Sequence, residues 1–204
     1  MAISLGEKAI ATLMQSAITN FKANLSVQVP IIYAYETTTN QNSIIEWWSD
    51  PANSLMIRLA YSFAEVNMPQ IAIYTEVENE VEPNRYVGSQ GGKFYNGVPV
   101  LESYFTTAYQ CRCVGFNYNF TLWLQALCKW ALLEVRHDLE EQYGLMNQRI
   151  SLSPFIPITD SMKDSIFPYE RRVTLTADHV DSWIPIETNT IISAASATII
   201  VSDE

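Results

Sequence analysis

Basic residues are scarce in this chain. Twelve lysines and arginines stand against twenty-two acidic residues, a formal net charge of −10, and the one adjacent basic pair is Arg171-Arg172. Counterion-release binding to nucleic acid needs clustered Lys and Arg, so that mode is excluded. Cysteine is also sparse, at three. An odd count with no secretory leader expected at Met1–Leu5 points to a reducing cytoplasm and no disulfide framework. No run of eighteen apolar residues reads as a membrane-spanning helix. Charged residues make up 17% of the chain against 48% apolar, and five Trp, eleven Tyr and eight Phe enrich it in aromatics. A chain of 204 residues can bury roughly 70% of its unfolded surface without metal or disulfide. The surplus apolar surface predicts subunit contacts.

The pattern along the chain predicts helices and strands in one domain, residues 1–185, followed by a different segment, 186–204. Ser4 and Glu7 suit a capping box, and Ile10, Leu13, Met14, Ala17, Ile18 and Phe21 recur at helical spacing. Residues 26–37 read as a strand with Pro30 at its edge or start, and residues 41–49 as a short helix broken by Asp50-Pro51. Leu55 to Phe63 fits helix or strand. Met68-Pro69 introduces a strong strand, Gln70 to Val77, and the glycine-rich stretch 83–97 reads as a long loop or hairpin tip. One long strand or two follow over 100–119. A central helix then runs from Thr121 to Tyr143, apolar first and charged later, and stops at Gly144. Residues 149–158 and 169–180 supply two more strands. Ile186 to Val201 carries a single charge and is β-prone, so it is either the final strand or an arm that pairs with a neighbouring subunit. Its apolar residues Ile191, Ile192, Ile199, Ile200 and Val201 are the candidate subunit contacts.

The sharpest chemical pattern is Glu76, Glu78, Glu80 and Glu82. In extended chain these four carboxylates share one face, with Val77 and Val81 opposite. Neighbours stand roughly 6.6 Å apart and repel by about 0.6 kcal/mol in water, which a wet face tolerates. Three readings stay open: a solvated, charge-guarded strand edge, a wall along a DNA passage or basic partner, and a divalent-metal site. Cys111 and Cys113 share a strand face and Cys128 follows on the helix, so with His137 there are four potential zinc ligands. The Cys-x-Cys spacing lacks the reach of structural zinc sites, and buried, inert thiols are the better reading. Glu134 and His137 form a lone Glu-x-x-His, and His179 between Asp178 and Asp181 has no nucleophile in a recognisable elbow. No phosphate-cradle, dinucleotide or zincin motif is present. No catalytic residue, cofactor or metal is therefore assigned, and the chain reads as a non-enzyme.

Four short patterns occur in order: Val29-Pro30-Ile31-Ile32-Tyr33, Pro69-Gln70-Ile71-Ala72-Ile73, Asn117-Tyr-Asn-Phe-Thr-Leu-Trp123, and Arg171-Arg-Val-Thr-Leu-Thr176 running to Asp181-Ser-Trp-Ile-Pro185. Together they resemble the neck and tail-completion (tail-terminator-like) proteins of tailed bacteriophages. The resemblance implies an α+β fold, with a mixed or antiparallel sheet packed against the N-terminal helix and the long central helix. It implies a homo-oligomeric ring, often a hexamer, at the head–tail junction of a virion assembled in the host cytoplasm. Such a ring would meet neck, tail-tube or sheath proteins, let DNA pass without specific binding, and touch no membrane. Glu76, Glu78, Glu80 and Glu82 would line the passage. Head-closure and baseplate positions in the same virion, a metal-dependent enzyme using the glutamate ladder, and a cytoplasmic adaptor for a basic protein are the alternatives.

Overall fold

The computed structural model describes residues 5–59, 69–80, 94–95, 98–99, 101–153, 156–157 and 169–183. The chain divides into two compact units, Met1–Asn79 with Thr106–His179, and Glu80–Phe105 with Val180–Glu204.

The first unit begins with helix α1 (Leu5–Ala23), where the expected stripe is the core face. Ala9, Ile10, Met14, Ala17, Ile18 and Phe21 are buried. Of the expected capping box of Ser4 and Glu7, Ser4 lies outside the described residues. The buried Glu7 carboxylate accepts the Thr75 backbone N–H at 2.5 Å, tying α1 to a strand. Gly6 lets α1 pass close to Tyr109, because a Cβ there would clash with the Tyr109 hydroxyl oxygen.

The expected strand at 26–37 is a helix, α2 (Leu25–Ile32), with Pro30 inside it. Leu25, Val29, Ile32 and Tyr33 stand at helical spacing, and that face turns inward: Val29 and Tyr33 are fully buried. The Tyr33 hydroxyl donates to the Trp123 carbonyl at 3.0 Å. Packing of one helical face thus overrides the β-propensity of Val and Ile, which is weak and context-dependent. The Pro-x-x-Tyr pattern therefore does not form the strand expected of it. Helix α3 (Thr38–Ser49) matches expectation, with Thr37 as N-cap and Asp50 closing it, its Oδ1 accepting from Ala52 N.

Strand β1 (Met56–Leu59) settles part of the Leu55–Phe63 ambiguity; residues 60–68 are outside the described set. It pairs in parallel with β2 (Gln70–Glu80), Met56 opposite Gln70 and Leu59 opposite Ile73. Next come β5 (Leu101–Gly115), one strand rather than two, and helix α4 (Tyr118–Glu134). The central helix is not continuous. It breaks at Val135 (φ −90°, ψ 5°) and resumes as α5 (Arg136–Tyr143), ending at Gly144 with φ 67°. The break is held from outside: Gln148 Nε2 donates to the Arg136 carbonyl and Arg136 Nη2 to the Gln148 carbonyl, at 2.9 and 2.8 Å. The left-handed Gly144 is the expected stop.

Strand β6 (Met146–Leu152) pairs antiparallel with β8 (Tyr169–Trp183), as does the short β7 (Ile156–Pro157). Contacts from Thr106 to Asp178 and from Arg112 to Glu170 run in opposite directions along β5 and β8, so that pair is antiparallel too. The spatial order is β1-β2-β5-β8-β6, with β7 also on β8. A parallel pair among antiparallel ones makes the sheet mixed. The fold is α+β, as expected, with α1 and α4 among the helices packed on the core. Strand alternation sends Ile71 and Ile73, Cys111 and Cys113, and Val173, Leu175 and Ala177 into that core.

In the second unit, β3 (Phe94–Tyr95) and β4 (Val98–Pro99) form an antiparallel pair, Phe94 opposite Pro99. Most of the expected 83–97 loop lies outside the described residues, as does the 186–204 segment with Ile191, Ile192, Ile199, Ile200 and Val201.

Candidate functional site

The alternation that buries the odd-numbered residues of β2, β5 and β8 puts Tyr74, Glu76 and Glu78, Gln110 and Arg112, and Glu170 and Arg172 on the opposite sheet face. Its centre is an ion-pair network. Glu170 is 3% exposed and accepts from Arg112 Nη2 and, at 2.7 Å, from Arg172 Nε. Burial by itself would raise the Glu170 carboxyl, but the hydrogen bonds and charges of Arg112 and Arg172 outweigh it, and the group lies below the ordinary glutamate range. The Tyr74 hydroxyl donates to Gln110 Oε1, and burial pushes the phenol up against the opposing pull of Arg172 and Arg112. Sequence reading missed this network. The signal was present in the alternation of Tyr169-Glu-Arg-Arg172, which places Glu170 and Arg172 on one side.

Of the acidic ladder, Glu76 and Glu78 are exposed, at the end of β2 that leaves the core. Val77 is 45% exposed, so both faces of the strand are wet there. The side chain of Glu80 and all of Glu82 lie outside the described residues. Glu76 is near enough to Tyr74 and Arg172 to raise the pKa of both, which sets the ladder's first carboxylate beside the Glu170 network.

The three thiols do come together. Hydrogen bonds with Cys111 and Cys113, and then burial, hold the Cys128 thiol well above its ordinary value. Cys113 Sγ donates to the Leu124 carbonyl at 3.7 Å, and all three residues are buried and free of disulfides. Neutral, buried thiols are poor nucleophiles and poor ligands. His137 is not with them: it is exposed and pairs with Glu141, one helical turn on, at 3.1 Å. Among the described residues, no group of three or more potential ligands is arranged to hold a metal ion.

Asp178 and His179 are adjacent on a strand and diverge. Asp178 accepts from Thr106 Oγ1 (2.6 Å) and Asn147 Nδ2 (2.9 Å), and the Thr106 hydrogen bond leads in lowering its pKa. The His179 Nδ1 lies 3.4 Å from Thr107 Oγ1. The side chain of Asp181 is not described.

Two surface features were not read from the sequence. The outer face of α2 and the turn after it carries an apolar stripe: Val27, Ile31 and Tyr35 are 59%, 64% and 61% exposed. No charged residue occurs from Ala23 to Tyr35. The second feature is a cleft of 520 Å³ where α3 meets the start of α4, lined by Trp47, Phe116, Tyr118, Phe120, Trp123 and Tyr169 with Ser43, Asn117 and Asn119. Clustered aromatics in Asn117–Trp123 were its sequence signal. Among the described residues, no helix is long and apolar enough to cross a membrane. No protein-family model matches this chain, and no curated protein is significantly similar to it.

Proposed function

We propose that this protein is a structural component of a tailed-phage virion that assembles as a homo-oligomeric ring at the head–tail junction. The ring terminates the tail tube and joins it to the neck, with the acidic end of β2 turned to the DNA passage. The reading starts from the resemblance in the Pro69–Ile73, Asn117–Trp123 and Arg171–Pro185 patterns, since the Pro30–Tyr33 pattern is helical.

The observation that carries self-assembly is the α2 stripe. Val27 and Ile31 are one helical turn apart, and Tyr35 extends the same uncharged surface. Copies of a chain with net charge −10 repel one another, so contact between them favours a surface without charge. Strand β6 adds a second element of support. Among the described residues it stands at the end of the sheet order, so its outer edge offers a place for a β-prone segment such as 186–204 of a neighbour. Glu76 and Glu78, exposed together, suit a wall that repels passing DNA.

The test is sedimentation velocity at tens of micromolar protein. The unaltered chain sediments as a ring-sized oligomer, and Ile31→Asp, which places a charge on an already exposed position, sediments as a smaller species with an unchanged circular dichroism spectrum. A monomeric unaltered chain refutes the ring, and full assembly by the Ile31→Asp chain removes α2 from the interface.

A further inference from the structure

Arg171 is a half-buried cation held by neutral groups. Its Nη1 donates to Gln125 Oε1 at 3.1 Å and its Nη2 to the Tyr118 hydroxyl at 2.9 Å. The guanidinium also stacks on the Tyr118 ring, 5.1 Å from its centroid. Among the described residues no carboxylate stands within ion-pair distance of Arg171, although acids outnumber bases by twenty-two to twelve. The next residue differs, since Arg172 is paired with Glu170 at 2.7 Å. Glu36, in the turn after α2, is already taken by Asn40 Nδ2 and the Trp123 indole N–H, at 2.6 and 3.1 Å.

This cation adjoins the α2 stripe. Tyr35 closes the stripe and is 61% exposed. Burial of part of its phenol and the Glu36 charge push the Tyr35 pKa up, and Arg171 pulls against them, so the guanidinium is within electrostatic reach of that ring. Tyr118, the first residue of α4, is exposed as well. Arginine among exposed tyrosines, beside exposed aliphatics, has the composition of an interface centre. The guanidinium fork fits a carboxylate, and its bond to Tyr118 leaves Nη2 a second N–H to donate. A second copy, at net charge −10, is rich in carboxylates and is repelled except where a cation offsets its charge.

We infer that Arg171 is the charged anchor of the subunit contact, taking an Asp or Glu carboxylate of the adjoining copy while Tyr35 and Tyr118 exclude water around the pair. The assignment rests on the self-assembly proposed above and adds the residue that fixes how copies meet. An ion pair open to water contributes little, and one ringed by contact aromatics contributes more.

Sedimentation velocity in about 50 and about 500 mM NaCl separates this role from a purely structural one. Arg171→Gln should raise the concentration for half-assembly about tenfold at the lower salt and less than about threefold at the higher, because screening weakens the pair in the unaltered chain. Were Arg171 merely a tie between α4 and β8, the substitution would lower the urea midpoint without changing the salt dependence of assembly. No loss of assembly, or an equal loss at both salts, overturns the anchor and leaves the ring standing. Arg171→Lys keeps the charge and gives a second reading where Arg171→Gln fails to fold. A carbodiimide joins a contacting amine and carboxylate as an amide, and mass spectrometry of mixed isotope-labelled and unlabelled copies shows which links run between chains. A link from the introduced amine to an Asp or Glu of another copy is expected. Links confined to one chain, or none, in an assembled sample overturn the assignment. A monomeric unaltered chain refutes ring and anchor together.

Discussion

Replacing Glu170 by Gln tests whether the ion-pair network holds β5 to β8. The substitution keeps shape and removes the charge facing two guanidinium groups. Removing one partner of a buried pair costs about 3–5 kcal/mol, because the other charge is left uncompensated. Here the Arg112 and Arg172 side chains are 15% and 30% exposed, so water relieves part of that penalty. A glutamine oxygen also still accepts from one of them. The expected loss is therefore about 2–3 kcal/mol, or roughly 5–10 °C in Tm for a chain of this length. Urea denaturation at pH 7 should show a lower midpoint with an unchanged slope.

The pH dependence gives an independent check. Because the folded carboxyl is lowered, its stabilisation is fully present above the ordinary glutamate value of about 4.3 and is lost as the pH falls through the lower, folded value. The gap between the unaltered chain and Glu170→Gln should stay constant from pH 7 to about pH 5 and close below about pH 4. A paired substitution, Arg112→Leu with Glu170→Leu, should cost less than Glu170→Leu alone. A gap at pH 7 under about 0.5 kcal/mol, the range of ordinary surface changes, would refute the network's role. So would a gap that persists undiminished into acid.

Three further outcomes are expected, two from packing and one from the β-prone character of the last residues. Gly6→Ala should cost about 1–3 kcal/mol despite alanine's better helix propensity, since its Cβ would meet the Tyr109 ring and hydroxyl at 2.2–3.0 Å; a neutral or stabilising result in urea denaturation means the two do not touch. Cys111, Cys113 and Cys128 should resist iodoacetamide at pH 8 until the protein unfolds, read by mass spectrometry, because they are buried and the Cys128 thiol is held protonated; labelling faster than unfolding contradicts this. Deleting residues 187–204 should leave a folded chain that assembles poorly, measured by circular dichroism and sedimentation, and failure to fold at all makes the segment part of the core.

The elements legible in advance were those whose local signals agreed. For α1, the apolar stripe, the spacing and the polar opposite face all point the same way, and Gly144 marks a stop that no other residue makes at comparable cost. The strand after Pro69 and the strand through Arg171 and Thr176 carry alternation that admits one reading. The segment around Pro30 was misread because its residues fit two periods at once. Ser-Val-Gln-Val alternates like a strand, yet Leu25, Val29, Ile32 and Tyr33 also repeat like a helix. A short apolar run with a proline gives local propensity no means to choose. The break at Val135 was invisible for another reason: what stabilises it is Gln148, thirteen residues away.

The candidate site divides along the same line. An exposed acidic run is a property of neighbouring residues on one strand, so Glu76 and Glu78 could be placed on a wet face from their spacing. The Glu170 network joins β5 to β8 across 58 positions, and the cleft joins Trp47 to Phe120 and Trp123 across the helical layer. The sequence by itself determined the periodic elements, the α+β class and the acidic, weakly basic character of the surface, because these depend on residues within a few positions of one another. Tertiary structure alone decided that α2 is helical, that the central helix breaks, that three thiols meet, and that the aromatics of Asn117–Trp123 form a cleft. Each of those depends on which faces the chain brings together, and burial, not local propensity, supplies the free energy that selects them.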